Sequence, residues 1–111
     1  MLLIIKDPVD KQTLEQVADD LDGYIKVVVD IEQGILTAGG TLHPDGEKML
    51  LKNGSQQDHL WGGGLDLDTD EIDFDSMINI RPGQDNASRE VLSKDIRLKM
   101  EELVIKLLGK H

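Results

Sequence analysis

Hydrophobic positions change period several times along the chain, and each change marks an element. Leu2–Lys6 opens with a short unbroken apolar run, the pattern of a buried strand. Asp7-Pro8 closes it, because the residue before proline avoids the helical region and proline has no N–H for a ladder. The period then becomes helical. Leu14, Val17, Ala18 and Leu21 form one stripe, Asp10 stands as N-cap, and Val9 and Leu14 occupy the two positions of a hydrophobic staple. With Gly23 as its stop, this predicts a helix over 11–21.

β-Branched residues dominate Tyr24–Ile31, which reads as a strand. Glu32-Gln33-Gly34 reads as a three-residue hairpin loop with Gly34 in the left-handed position, and Ile35–Leu42 as the return strand. Gly39-Gly40 marks a bulge or a close backbone approach. His43-Pro44-Asp45-Gly46 reads as a turn; Lys48–Lys52 fits either a third meander strand or one turn of helix, and Asn53-Gly54, a hairpin signal, tips it to the strand. Ser55–Asp58 has the form of a capping box before a short helix over 56–60 that ends at Trp61-Gly62, with Gly62-Gly63-Gly64 as a kink.

Leu65 and Leu67 then alternate with Asp66 and Asp68. Ile72, Phe74, Ser76, Ile78 and Ile80 alternate with Asp73, Asp75, Met77, Asn79 and Arg81. This period of two predicts a hairpin over 64–80 with one apolar and one acidic face. A polar loop covers 82–92. Ser93 caps a helix over 94–108 whose stripe is Ile96, Met100, Leu103, Val104 and Leu107, with Lys106, Lys110 and His111 suited to its C-terminal end. The order predicts an α+β fold: a single small domain over 1–111, a mainly antiparallel sheet, and two main helices (11–21 and 94–108) packed on one face of it.

Composition narrows the function classes. A chain of 111 residues suffices for one core. With no cysteine, disulfides, thiolate metal sites and a cysteine nucleophile are excluded. No apolar run approaches the roughly 18 residues of a membrane span, and Met1–Ile5 lacks the form of a secretory leader, so a cytoplasmic protein is expected. The net charge of −10 is unevenly placed: residues 53–80 carry seven acids and no Lys or Arg, whereas 81–111 carry seven bases against five acids. An acidic chain with three aromatics makes a poor nucleic-acid binder, which needs bases at phosphates and rings for stacking.

Three constellations carry candidate chemistry. Asp66, Asp68 and Asp70 fill the first three positions of a calcium loop, but Glu71 stands where the loop needs glycine and Met77 where it needs a bidentate Glu. They are weak candidates for a divalent cation beside the plainer reading of a solvated strand face. His43, Asp45, Asp58 and His59 combine imidazoles and carboxylates of the kind that hold a metal or act as general bases. Asp75, Asn79 and Arg81 cluster near the end of the hairpin, where Arg81 can bind a carboxylate through its fork or pair with Asp75. Trp61 is a candidate interface anchor.

Gly40-Thr41-Leu42-His43, Leu60-Trp61-Gly62 and above all Asp75–Pro82, together with Pro8-Val9, resemble a small family of prokaryotic domains of unknown function. The resemblance spans nearly the whole chain and implies a stand-alone cytoplasmic protein; it brings no activity, cofactor or catalytic residue. The residues themselves favour a binding or interaction module that recognises a protein partner or associates with itself. The alternative is a metal-dependent hydrolase of a small substrate using His43, Asp45, Asp58 and His59.

Overall fold

The fold is a single five-stranded antiparallel sheet with helices on both faces, described over residues 1–109 of a computed structural model. Lys110 and His111, expected at the end of the last helix, lie outside the described residues. In chain order the elements are β1 (Leu2–Ile5), α1 (Lys11–Ala18), β2 (Tyr24–Asp30), β3 (Ile35–Gly39), α2 (His43–Lys52), β4 (Leu60–Asp66), β5 (Ile72–Asp73) and α3 (Lys94–Leu108). The sheet order is β1-β3-β2-β4-β5.

Alternation along β2 divides the core. Ile25, Val27 and Val29 face one way and pack with Leu14 and Val17 of α1 and Met100, Val104 and Leu107 of α3. Val28 faces the other way and packs with Leu50 of α2, Ile35 and Leu60. The expectation that the two main helices share one face holds for α1 and α3; α2, which the sequence pattern does not predict as a helix, covers the other.

The helix signals at 11–21 and 94–108 hold. Asp10 accepts the Thr13 N–H at 2.8 Å, and Ser93 caps the Ile96 N–H. The 11–21 segment finishes as a 3-10 turn over Asp19–Leu21, after which Asp22 and Gly23 take positive φ. The first hairpin also forms, although its loop has four residues rather than three. Asp30 pairs with Ile35, and its carbonyl accepts the Gly34 N–H. The fully buried Asp30 carboxylate fastens this corner by accepting from the Glu32 and Gln33 N–H groups, Gln33 Nε2 and Ser55 Oγ. Burial raises its proton affinity, but these four bonds outweigh it and hold the carboxyl below its ordinary value.

Three expectations between 43 and 80 are corrected. Residues 43–46 are not a turn and 48–52 not a strand; together they form α2, with Pro44 in the first turn, where its missing N–H costs nothing. Gly46 is there because a Cβ would run into Thr37 Oγ1 of β3, so glycine lets the helix lie close on the sheet. Asn53-Gly54 ends this helix instead of turning a hairpin, with Gly54 at φ +96°. Ser55 caps nothing: its hydroxyl goes to Asp30, and the segment that follows is a single 3-10 turn, Gln57–His59.

Gly62-Gly63-Gly64 is no kink but the middle of β4, paired with Val28, Val27 and Lys26. The missing side chains clear both surfaces of the strand. A Cβ at Gly62 would stand 2.6 Å from Ser76 Cβ, one at Gly63 would strike the Asp73 carbonyl, and one at Gly64 the Tyr24 hydroxyl. The partner strand of the predicted 64–80 hairpin ends at Asp73; Met77–Asn79 is a 3-10 turn and Ile80 is exposed. No helix among the described residues is long and apolar enough to cross a membrane.

Candidate functional site

The short β5 leaves the backbone of β4 unpaired at Gly62, and the side chain of Asn79 takes the place of the missing strand. Its Oδ1 accepts the Gly62 N–H at 2.8 Å and its Nδ2 donates to the Gly62 carbonyl at 2.9 Å, the two bonds a paired residue would have made. The same Nδ2 reaches the Phe74 and Arg89 carbonyls. Asn86 extends the knot, donating to the carbonyls of Asn79, Ser88 and Glu90 and accepting the Leu92 N–H. Both amides are buried.

Arg81 completes this scaffold. Its Nε donates to the Ile78 carbonyl, one terminal nitrogen to the Gln57 carbonyl and Gln84 Oε1, and the other to the Leu60 carbonyl. The guanidinium lies 4.5 Å from the centre of the Trp61 ring and 3.9 Å from Glu47 Oε2, a buried oxygen with no hydrogen bond that it balances by charge. Asp75 pairs with Arg89 at 3.2 Å instead of with Arg81. Trp61 is only 2% exposed and belongs to the main core, so it is unavailable as a surface anchor.

The polar turns expected to share a metal form no group that could hold one among the described residues. His43, the first residue of α2, directs Nε2 to the Gly63 carbonyl at 2.7 Å. His59 precedes Leu60, and the step from Leu60 to Gly63 along β4 spans about 10 Å of extended chain. Asp45 and Asp58 are exposed. Asp66 Oδ1 accepts the Asp68 N–H and Asp70 adopts φ +61°, so these acids shape the turn between β4 and β5. Among the described residues no three His, Asp or Glu are grouped to hold a metal ion.

The residues that do converge lie on the α2 face of β2. Alternation puts Tyr24 and Lys26 beside Val28 on that face, and the absence of a side chain at Gly64 makes room for the Tyr24 ring. Together with the start of α2 and the segment around Met77, they line an open cleft of about 290 Å³. Its polar residues are Tyr24, Lys26, His43, Asp75, Ser76 and Arg89; its apolar lips are Leu42, 58% exposed, and Met77, 64% exposed.

Most polar groups of this cleft have partners. The Tyr24 hydroxyl donates to Asp73 Oδ2 at 2.5 Å. Burial, then that bond and the neighbouring carboxylates, raise the phenol well above its ordinary value. His43 donates to a carbonyl, so Nε2 carries its hydrogen and Nδ1 its lone pair. Burial, with the Lys26 charge adding to it, lowers the His43 pKa despite the Gly63 bond and the charges of Asp73 and Asp75. The shift favours the neutral ring. Asp75 is held by Arg89. The ammonium of half-buried Lys26 makes no hydrogen bond or ion pair among the described residues. Within β2 it reads as one polar interruption of a β-branched run, and only the three-dimensional surroundings single it out.

A family model described as "Protein of unknown function (DUF5674)" matches residues 3–107, and the chain belongs to that family. No curated protein and no solved structure matches it.

Proposed function

We propose that this member of a family without an assigned activity is a binding module, and that its binding surface is the cleft between β2, the start of α2 and Met77. The observation that carries the reading is Lys26, whose ammonium has no hydrogen-bond or ion-pair partner among the described residues, in a concave site where Asp75 is paired with Arg89 and Asp73 accepts the Tyr24 hydroxyl. A ligand carboxylate would supply the missing partner, while Leu42 and Met77 would cover an adjoining apolar group. A segment of a partner protein that carries Asp or Glu next to an apolar residue has both features. A cytoplasmic location is part of the same proposal. No observation favours the hydrolase alternative that would use His43, Asp45, Asp58 and His59, since among the described residues no three His, Asp or Glu are grouped to hold a metal ion.

Selection of phage-displayed peptides on the immobilised protein tests this reading. The expected result is enrichment of acidic-apolar sequences that bind Lys26→Glu at least about tenfold more weakly, as for removal of a hydrogen-bonded charge pair. Absence of enrichment, or peptides that bind Lys26→Glu equally well, contradicts it.

A further inference from the structure

The two edges of the sheet differ. Beyond β5 the chain folds back on itself: the Val91 N–H bonds to the Phe74 carbonyl, the Ser76 N–H to the Arg89 carbonyl, and Asp75 bridges Glu90. Asn79 closes the rest of that edge at Gly62. The β1 edge has no such cover. The Met1 carbonyl accepts the Gly40 N–H, which fixes the alternation: Met1, Leu3 and Ile5 direct their backbone groups at β3, and Leu2 and Ile4 direct theirs outward. No described residue bonds to the backbone of Leu2 or Ile4 from outside the sheet.

We infer that β1 is a self-association edge on which a second copy of this chain pairs antiparallel, about a two-fold axis through Leu3. In that register Leu2 faces Ile4 of the second copy and Ile4 faces its Leu2, so each outward N–H meets an outward carbonyl and four hydrogen bonds form. Leu3 then stands opposite its own copy in a non-hydrogen-bonded pair, where side chains approach most closely. Leu2, Leu3 and Ile4 are each left half-buried by their own chain, and the pairing covers them. A continuous sheet of ten strands results, with no edge of more than two residues left open. No proline, bulge or charge falls within Leu2–Ile5, so shortness is the one protecting feature the strand itself has. The net charge of −10 on each copy opposes the contact, so added salt strengthens it. The inference is independent of the cleft.

Sedimentation of the full chain across about 10 μM to 1 mM, at low and at about 0.5 M salt, reads the association directly. A species of twice the 12.3 kDa chain mass, more populated at the higher salt, is the expected result. Ile4→Pro removes one outward N–H and leaves the β1–β3 bonds in place; Leu2→Lys puts a charge at the junction. Each is expected to weaken dimerisation at least tenfold. Hydrogen exchange on the unmodified protein gives a second readout, in which the Leu2 and Ile4 amides slow as concentration rises. A monomer at every concentration overturns the inference. So does a dimer in which those two amides exchange at the monomer rate, or one that both folded variants still form.

Discussion

Asn79→Ala is expected to lower the unfolding free energy by about 3 kcal/mol, because it strips partners from a buried strand N–H and from buried carbonyls at once. The Gly62 N–H loses its acceptor, and the carbonyls of Gly62, Phe74 and Arg89 lose a shared donor. The side chain is fully buried, so water does not replace these bonds without opening the 74–91 segment. Urea unfolding is expected to show a midpoint lowered by about 1 M or more. Asn79→Asp keeps an acceptor for Gly62 but turns a carboxylate oxygen toward three carbonyls, and is expected to be no better. A midpoint within experimental error of the unmodified protein would show that the amide does not stand in for a strand.

Gly64→Ala carries the second large effect. Its Cβ would fall on the Tyr24 hydroxyl, and the ring cannot yield without giving up Asp73. Overpacking and the lost bond together are expected to cost about 3 kcal/mol. The only tyrosine in the chain offers a specific readout. A raised folded-state pKa means that Tyr24 adds stability in full below its ordinary value near pH 10 and loses it as pH rises through the folded value. Followed by ultraviolet absorbance, the unmodified phenol is expected to stay protonated beyond pH 10, whereas Gly64→Ala titrates near 10. An unchanged titration would mean that the ring does not depend on the space at Gly64.

The sequence exposes those parts of the fold whose signals are local. Asp10 and Ser93 each sit beside a clean helical stripe, and α1 and α3 follow from them. Tyr24–Ile31 is β-branched and β2 follows. The α2 segment is misread because Pro44 and Gly46 have the look of a turn. Gly46 in fact answers a contact with Thr37, nine residues earlier in sequence and on another element. The same reason hides the β4 glycines, since each matches a neighbour from a distant segment. The alternation through 72–80 suggests a long strand, yet Asn79 supplies the pairing by side chain and the strand stops at Asp73.

The candidate site shows a similar division. Residues that draw attention by type, namely Asn79, Arg81 and Trp61, turn out to hold the structure together. His43 and Asp75 do reach the cleft, but Tyr24 and Lys26 complete it and give no sign in the sequence. A lysine within a strand is ordinary until its neighbours are known to be paired elsewhere.

We propose that the polar segment 79–89 holds the fold together, whereas the Lys26 ammonium is available to a ligand. Equilibrium unfolding of Lys26→Ala beside Asn79→Ala separates the two roles. Lys26→Ala is expected to change stability by no more than about 0.5 kcal/mol while Asn79→Ala loses about 3 kcal/mol. Equal losses at the two positions, or a larger one at Lys26, would mean that Lys26 is part of the scaffold.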